Sequence, residues 1–414
     1  MIPEPEAKVL HVAYVGPVDF GSSSAEAQRM LGVTQALLEA GDRVSIGSAT
    51  WPEPSFGAHQ ANEHAAAASG RTLTVTQLGE FPRPEWPKLR RVWRGLSWGA
   101  ATRTWLSELQ PAPDVIVLYG TSLGYLVRLL PLARHRHLPL VLDVVEWYQP
   151  SHLPGGRFGP FALANAVAMR VVAPRVAGVI VISRFLERYF TFAGTPSLRV
   201  PPLFEVAETP HLRPREWWSS PGHGHPLTLS YLGSAGRKDA ATIRSLVCLP
   251  GLLGLTAEAL CINIVGLTAQ QAATLLRTPT VTHECLRFHG RLPADTARAV
   301  LADSHFSVLQ RGLERFAAAG YPSKVVESLV RGVPVLANLT SDLGDVLIDG
   351  VNARILPDES PTALADAVRR ALQEPYTFDR TGIASAERHR FAPRTHSQPL
   401  HDFLRSLVHG EAPS

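Results

Sequence analysis

The sequence predicts an α/β protein made of two doubly wound domains, and three observations support this class. The first half alternates short apolar strands with amphipathic helices, beginning with a strand at residues 9–14. A proline-rich break follows at residues 205–226, and the alternation restarts with a strand at residues 227–232. The chain has 414 residues. That length suits two domains of roughly 100–200 residues each.

The predicted elements of the first domain follow one another as strand, loop, helix and strand. A small-residue loop at residues 16–24 leads into a helix at 25–40, which Gly41 ends. The remaining strands are short apolar runs predicted at residues 44–48, 115–118, 140–144 and 179–183.

The second domain repeats this order. Its strand at residues 227–232 is followed by a glycine-rich turn and a helix beginning at Ala240. The later elements are strands at 263–266, 306–309 and 333–337, a helix at 362–373 and a terminal helical region at 386–409.

Composition limits the function classes. The chain is 45% hydrophobic and 18% charged, which is typical of globular proteins. It has no apolar run of about 18 residues, so no transmembrane helix is predicted. The first residues lack a signal-peptide pattern, and the three cysteines lack the spacing of a metal site, which predicts a cytoplasmic protein. The formal charge of +4 only weakly indicates an anionic ligand.

Residues 311–338 combine a loop, a helix and a strand, with charges near the helix start. Pro322 suits the first turn of a helix, and Gly332 suits its end. Lys324 and Glu327 lie three residues apart, beside helix N–H groups that favour anions. One interpretation is an anion site next to a carboxylate that accepts hydrogen bonds from a diol such as ribose. The other is a solvated pair worth a few tenths of a kcal/mol.

A second candidate is the turn after the strand at residues 227–232. It runs from Gly233 to Asp239 and reads Gly-Ser-Ala-Gly-Arg-Lys-Asp. Glycines let a backbone approach a phosphate closely, and Lys238 can neutralise its charge. The alternative is a solvated lysine, which the dipole at a helix start disfavours.

Two features of the first domain are further candidates, each with a structural alternative. The loop at residues 16–24 holds Gly21 and Ser22, but it lacks a dinucleotide fingerprint and is equally consistent with an ordinary tight turn. Glu146 lies just beyond the strand at residues 140–144, at the end where parallel sheets bind ligands. A structural or helix-capping carboxylate is the alternative for Glu146.

The stretch at residues 319–328 resembles a known donor-binding signature. In one subgroup of glycosyltransferase family 4 the signature reads Ala-Gly-Phe-Pro-Thr-Lys-Phe-Val-Glu-Ser, and residues 319–328 here read Ala-Gly-Tyr-Pro-Ser-Lys-Val-Val-Glu-Ser. Arg311 and Arg315 stand where that subgroup carries arginines. Residues 231–239 resemble the family's Tyr-x-Gly-Ser-x-Gly-x-Lys-Asp turn, and residues 286–292 its base-binding loop.

The resemblance implies the GT-B fold, with two Rossmann-like domains facing a cleft. The implied divisions are residues 1–205, 206–385 and a terminal helical region, 386–414, that crosses back to the first domain. It also implies a retaining transferase in carbohydrate biosynthesis that needs neither metal nor cofactor. The donor would be a UDP-, GDP- or dTDP-sugar. The acceptor hydroxyl would belong to a polysaccharide precursor, a glycolipid or a specialised metabolite.

Site residues are carried over from the family by position. Catalytic roles fall to Glu146, Lys238 and Arg311. Donor binding is assigned to Gly21, Ser22, Gly233, Ser234, Lys238, His289, Gly290, Arg291, Arg315, Gly320, Tyr321, Ser323, Lys324 and Glu327.

One departure from the family keeps other functions open. Many members carry an acid eight residues before the ribose-binding glutamate, where this chain has Ala319. Donor-sugar hydroxyls are then expected to meet backbone N–H groups near Gly320 and Tyr321, or Glu314. The alternatives are a non-catalytic nucleotide-sugar-binding scaffold and a nucleotide-sugar epimerase of the same fold.

Basic and aromatic residues interleave between Glu85 and Trp98. An amphipathic helix packed on its own domain explains this pattern. Peripheral contact with anionic lipid at the inner membrane face is the alternative. Nucleic-acid binding is not expected, because no recognisable nucleic-acid module accompanies the stretch.

Overall fold

The computed structural model describes residues 9–20, 24–51, 73–82, 87, 98–206, 226–233, 236, 239–373 and 378–410. The chain divides into two compact units. The first contains the described residues up to Leu203 together with those from Ala392 onward, and the second is Phe204–Phe391. The boundary expected at residue 386 falls inside a helix, Arg380–Phe391, that belongs wholly to the second unit.

The first unit is built on a sheet whose described strands all pair in parallel, in the order β3-β2-β1-β4-β5-β6-β7. The strands are β1 (His11–Gly16), β2 (Arg43–Ser48), β3 (Thr74–Gln77), β4 (Val115–Tyr119), β5 (Leu140–Val144), β6 (Gly178–Val181) and β7 (Ser197–Arg199). The helices of this part are α1 (Ala25–Ala40), α2 (Ala100–Glu108), α3 (Leu123–His135), α4 (Pro160–Val167) and α5 (Arg184–Phe192).

The second unit repeats the arrangement with parallel strands in the order β10-β9-β8-β11-β12-β13. Its strands are β8 (Leu227–Leu232), β9 (Leu260–Val265), β10 (Leu286–Gly290), β11 (Phe306–Leu309), β12 (Val335–Asn338) and β13 (Ala353–Leu356). Its helices are α6 (Ala240–Leu253), α7 (Ala269–Leu276), α8 (Ala294–Ala302), α9 (Arg315–Ala319), α10 (Ser323–Leu329), α11 (Pro361–Gln373) and α12 (Arg380–Phe391).

Both sheets reverse their strand order once, between β1 and β4 and between β8 and β11. Parallel strands covered on both faces are apolar along their whole length, and β1, β4 and β5 are buried at every position. In doubly wound sheets, ligands bind beyond the carboxyl ends of the strands at such a reversal. The predicted α/β class is confirmed, and the two reversals mark the places where a ligand site is expected.

The last helix, α13 (Pro393–His409), packs against the first unit. Its Leu400, Phe403 and Leu404 belong to the same apolar core as β1 and α1. His401 contacts the Asp42 carboxylate at 2.9 Å, and that carboxylate also accepts the Leu10 N–H at 3.1 Å. The helix α13 therefore contributes to the first unit's core.

The structure differs from the expected elements at several strands. The segment expected to be a base-binding loop is the strand β10, whose pairing with β9 is irregular between Phe288 and Gly290. Strands β3, β7 and β13 were not predicted. Each has only three or four residues, too few for a period-two pattern to stand out from a loop.

Candidate functional site

Four side chains of the second unit meet where β8 and β11 end. Tyr231 belongs to β8, and Asp239 immediately precedes α6. Arg311 follows β11, and Lys324 lies in the first turn of α10. We call Tyr231, Asp239, Arg311 and Lys324 the β8–β11 cluster. Its members come from four separate segments that only the strand reversal brings together.

Lys324 connects the members of the cluster. Its Nζ donates a hydrogen bond to the Tyr231 hydroxyl at 2.7 Å and to Asp239 Oδ2 at 3.3 Å. The same ammonium lies 4.4 Å from the centre of the Tyr231 ring, within range of a cation–π attraction. Its side chain is 23% exposed, whereas Asp239 is completely buried. The lysine thus joins a buried acid to an accessible surface.

Arg311 contributes the second cation. Its Nη2 lies 4.0 Å from Asp239 Oδ1, and its side chain is only 10% exposed. The Asn338 side chain holds the Arg311 backbone, accepting from its N–H at 2.9 Å and donating to its carbonyl at 2.7 Å. Thr242 of α6 makes the same pair of bonds to Gln310, at 2.9 and 2.8 Å. These two pairs of backbone bonds fix the direction in which the chain at Arg311 leaves the sheet.

The charges of the cluster do not cancel. Burial raises the pKa of the Tyr231 hydroxyl well above its ordinary value, and the Asp239 carboxylate reinforces this, so the phenol stays neutral. Lys324 and Arg311 then face one carboxylate, Asp239. The cluster carries one net positive charge beside an accessible ammonium, which is an arrangement that attracts an anion.

Gly233 makes room for the lysine. A Cβ at this position would lie 2.2 Å from Lys324 Cε, and the residue has a φ of +149°. Its N–H donates to the Val265 carbonyl at 3.1 Å. The glycine was predicted to admit a phosphate to the backbone, but here the space beside it is occupied by the Lys324 side chain.

Glu327 lies on the next turn of α10 and remains accessible. Its side chain is 30% exposed, and Arg331 approaches its Oε1 at 3.6 Å. The solvated pair considered for Lys324 and Glu327 is therefore not the arrangement found. Lys324 turns toward the buried acid, and Glu327 pairs with the arginine one turn along. A partly exposed carboxylate can still accept bonds from a ligand's hydroxyls.

The residues just before α10 are more buried than expected. Tyr321 packs edge-to-face on Phe391, with ring centres 6.5 Å apart. Gly320 donates its N–H to the Phe316 carbonyl at 3.0 Å, and Ser323 donates to the Tyr321 carbonyl at 2.8 Å. The backbone donors of Gly320 and Ser323 are thus already engaged. This conflicts with a role for the Gly320 N–H in reading donor-sugar hydroxyls.

Three other predicted residues of this region can be placed from their exposure. Ala319, at the position where many family members have an acid, is completely buried. Arg315 is half-buried at the first position of α9, and Glu314 beside it is exposed. Of these, Glu314 is the one that solvent reaches freely.

The residues predicted to hold the base lie at the end of β10. His289 is exposed and its Nε2 lies 2.9 Å from Asn263 Oδ1. Partial burial and the neighbouring Arg287 lower the pKa of His289, which favours the neutral imidazole. The Gly290 N–H donates to the Leu267 carbonyl at 3.0 Å, so this donor is not available to a base. Arg291 beside it is exposed.

The separation of β10 from the cluster suits an extended ligand. Two strand spacings separate β10 from β8, which at about 4.8 Å each amounts to roughly 10 Å. A nucleoside diphosphate can span such a distance. His289 and Arg291, at the end of β10, therefore lie about two strand spacings from the strand that carries Tyr231.

Some predicted residues lie outside the described part of the chain. These are Gly21, Ser22, Ser234 and Lys238, together with most of the stretch between Glu85 and Trp98. Their roles stay predictions.

In the first unit, Glu146 is half-buried just beyond the end of β5. It belongs to a group of acids and phenols at the ends of β4 and β5. Burial and the Glu146 carboxylate raise the pKa of the Tyr148 hydroxyl, and burial together with Asp143 raises that of Tyr119. Glu146 thus has polar neighbours at the sheet edge where its prediction placed it.

A buried ion pair at the same edge escaped sequence reasoning. Arg29 of α1 binds the Asp143 carboxylate through Nε at 3.0 Å and Nη2 at 2.9 Å. Tyr14 of β1 donates its hydroxyl to the same carboxylate. The Arg29 Nη1 donates to the carbonyls of Val200 and Pro201 at 2.8 and 2.6 Å. We call Tyr14, Arg29 and Asp143 the β1–β5 cluster. Its one signal in the sequence was Asp143, an acid within an apolar strand.

Two features are absent from the described residues. They contain no group of three or more histidine, cysteine or acidic side chains arranged to hold a metal ion. None of the described helices is long and apolar enough to cross a membrane.

Solved structures share this architecture along nearly its whole length. HepE from Anabaena, in complex with UDP and glucose, aligns with a TM-score of 0.61 at 15% identity, covering 96% of this chain and 100% of its own. Sucrose-phosphate synthase from Thermosynechococcus elongatus gives 0.68 at 12%, covering 97% and 100%. WaaG, a glycosyltransferase involved in lipopolysaccharide biosynthesis, gives 0.57 at 16%, covering 97% and 100%. The fold is GT-B.

Family profiles match both halves of the chain. Residues 25–203 match the glycosyl transferase 4-like domain, and residues 249–374 match glycosyl transferases group 1. No curated protein sequence matches the chain significantly. The chain belongs to the glycosyltransferases of the GT-B fold, as its resemblance to family 4 indicated.

Proposed function

We propose that this protein is a retaining glycosyltransferase that moves a sugar from a nucleotide-sugar to an acceptor hydroxyl without a metal ion. The observation that carries the proposal is the β8–β11 cluster. There two cations share one buried carboxylate at the strand reversal, so one positive charge is left for the diphosphate of a donor.

Donor binding follows from the layout of the second unit. Lys324 and Arg311 face the diphosphate, and Lys238 adds a third cation if it lies where the motif suggests. Glu327 accepts hydrogen bonds from the ribose, and the residues at the end of β10 meet the base. HepE, which has the same fold, is described in complex with UDP-glucose, so a UDP-sugar is the first donor to test.

Catalysis would come mainly from stabilising the leaving diphosphate. As the bond between the sugar carbon and the phosphate oxygen breaks, negative charge develops on that oxygen. Cations fixed before the reaction lower this barrier without reorganising. The acceptor oxygen bonds to the same carbon, and its proton leaves with the diphosphate. Glu146 is proposed to orient the acceptor hydroxyl, and no metal is needed because the cations replace one.

The proposal is tested with a donor panel. Melting temperatures are recorded with UDP, GDP, dTDP and ADP, and each sugar nucleotide that stabilises the chain is then assayed for transfer to lipid-linked, oligosaccharide and small acceptors. The expected result is one preferred base and a product that keeps the donor's anomeric configuration by NMR. An inverted product would refute retention. Activity that is abolished by EDTA and restored by a divalent ion would refute the metal-free mechanism.

Lys238 has its own test in the same assay. Lys238→Ala should lower transfer by on the order of a hundredfold if the ammonium neutralises the leaving group. The matched control is Arg244→Ala, which alters a cation within α6. Near-normal transfer by Lys238→Ala would remove this residue from the site.

Ala319 supports a second candidate, a scaffold that binds nucleotide-sugars without turning them over. Without an acid at this position, the donor sugar could be bound too loosely to react. Nucleotide binding without turnover of any donor, with or without acceptor, would favour the scaffold. Donor conversion that needs no acceptor and yields a second sugar nucleotide would instead indicate the epimerase alternative.

A further inference from the structure

A surface patch of the first unit joins exposed apolar side chains to a set of exposed arginines. Residues 147–186 contain four arginines and no aspartate, glutamate or lysine. All four arginines are exposed: Arg157, Arg170, Arg175 and Arg184. The whole chain has a formal charge of only +4, so this stretch concentrates its positive charge.

Large apolar side chains protrude from the same stretch. Phe158 is 96% exposed, Phe161 58% and Leu163 68%. Tyr148, Val171 and Phe185 are exposed as well. Of the fourteen large hydrophobic side chains that are exposed among the described residues, six therefore fall within these forty positions. Single exposed apolar residues are ordinary, but such a concentration marks a binding surface.

Contacts hold these segments together as one surface. The buried Trp147 ring lies 6.3 Å from Phe185 and 4.6 Å from Tyr189. Tyr189 donates to the Met169 carbonyl at 3.0 Å, in a π-helical turn, Ala168–Val172. Asn165 of α4 donates to the Tyr148 carbonyl at 3.3 Å. We call residues 147–175 and 184–185 the Trp147 surface.

The shape of this surface favours a fluid partner. Phe158 ends a tight turn in which Gly155 and Gly156 both have positive φ, and Phe161 projects from the first turn of α4. Rings that project can enter a soft medium, whereas a rigid protein partner would need a matching cavity. Arginines around projecting aromatic side chains are typical of segments that enter the headgroup region of an anionic bilayer.

We infer that the Trp147 surface docks the protein on an anionic lipid bilayer. Phe158, Phe161 and Leu163 enter the headgroup–acyl boundary, and the four arginines contact lipid phosphates. This inference does not depend on the proposed function. If that function holds, docking brings Glu146, the residue before Trp147, to the lipid boundary, where the acceptor would be lipid-linked.

The test is co-sedimentation of the full chain with vesicles. Vesicles of phosphatidylcholine alone are compared with vesicles in which part of it is replaced by phosphatidylglycerol. We expect binding to the anionic vesicles only, and we expect added salt to weaken it. Failure to bind anionic vesicles would overturn the inference.

Substitutions show which residues contact the lipid bilayer. Phe158→Ser combined with Phe161→Ser should lower the partition coefficient by on the order of a hundredfold, because two buried rings are lost. Arg157→Gln combined with Arg170→Gln should lower it about tenfold or more and reduce its salt dependence. The matched controls are Phe192→Ser, at an equally exposed phenylalanine of α5, and Arg370→Gln, at an exposed arginine of the second unit. Both controls should bind as the unaltered chain does.

Three outcomes would contradict the assignment. Equal loss in Phe192→Ser would indicate general adhesion of exposed rings. Loss in Trp93→Ser, with the phenylalanine variant unaffected, would move the contact to the stretch between Glu85 and Trp98. A dimer in analytical ultracentrifugation that the phenylalanine variant abolishes, without vesicle binding, would assign the surface to a second copy of the chain. Circular dichroism of each variant checks that it is folded.

Discussion

The β1–β5 cluster and the β8–β11 cluster contain similar side chains but serve different roles. In the β1–β5 cluster, Tyr14 and Arg29 surround the buried Asp143. In the β8–β11 cluster, Tyr231 and Lys324 surround the buried Asp239, and Arg311 adds a second cation. Each tyrosine comes from the first strand of its unit, and each acid lies beyond or near the end of a strand. The difference lies in charge balance and exposure.

In the β1–β5 cluster every charge is used internally. The Arg29 side chain is 3% exposed, its charge is cancelled by Asp143, and its remaining donors bind two carbonyls. In the second unit one positive charge is left over, and the lysine that connects the cluster reaches solvent. A closed ion pair stabilises a fold, whereas an open one with surplus charge can bind a ligand.

Breaking the β1–β5 cluster should give the largest effect. Arg29→Met leaves the Asp143 carboxylate buried without its cation, which costs about 3–5 kcal/mol. In a unit of this size that lowers the melting temperature by roughly 10 °C. Calorimetry measures the shift, and an unchanged melting temperature would contradict the structural role. The double variant Arg29→Met with Asp143→Leu should regain part of the loss, because it removes both charges.

Asp239→Asn tests whether the β8–β11 cluster tolerates the loss of one partner of its ion pair. Lys324 can turn to solvent once its acid is gone, so the melting temperature should fall less than in Asp143→Asn. Transfer should suffer more, because the lysine loses the anchor that positions it. We expect kcat to fall by on the order of a hundredfold while KM changes little. Initial-rate kinetics would contradict this positioning role if only KM rose.

Gly233→Ala alters the path of the lysine without changing any charge. The new Cβ would collide with Lys324 Cε and would strain a backbone with positive φ. We expect nucleoside diphosphate affinity to fall about tenfold, measured by calorimetric titration. Gly236→Ala is the matched control, since a Cβ at Gly236 meets no described atom within 4 Å. Equal affinity in the two variants would show that the Lys324 position does not matter for binding.

Glu327→Gln should give the smallest effect. The Gln side chain keeps a carbonyl oxygen that accepts from the ribose and loses only the negative charge, which costs about 1 kcal/mol, so nucleotide affinity should fall about fivefold. The preference for UDP over 2′-deoxy-UDP should shrink in the variant, because the 2′-hydroxyl loses its charged acceptor. If the variant kept the full preference, Glu327 would have no ribose role.

Sequence reasoning found the fold and singled out Arg311 and Lys324, which the structure brings together in the β8–β11 cluster. Two signals made this possible: apolar strands of regular spacing, and a motif that runs continuously from Ala319 to Ser328. The helix predicted at residues 25–40 is the helix Ala25–Ala40 found in the structure, with Ser24 and Gly41 capping its ends. The capping residues at the two ends determine where such a helix begins and ends.

What sequence reasoning missed depends on contacts between distant segments. Asp143 and Arg29 are 114 positions apart, so no local pattern pairs them. Asp239 was read as part of a turn, yet its partner Lys324 is 85 positions away. The engaged N–H groups of Gly320 and Gly290 likewise depend on how the backbone folds locally. Motifs indicate which residues matter, but packing decides which of their groups are still available.

The most direct test of this account is calorimetric titration of a nucleoside diphosphate, chosen from the panel, into Lys324→Met and Arg29→Met at a temperature where both are folded. We predict that Lys324→Met loses affinity by on the order of a hundredfold and melts less far below the unaltered chain than Arg29→Met does, because Arg311 still faces the buried Asp239, whereas Arg29→Met keeps its affinity. Undiminished affinity in Lys324→Met would contradict the assignment of the β8–β11 cluster as the diphosphate site.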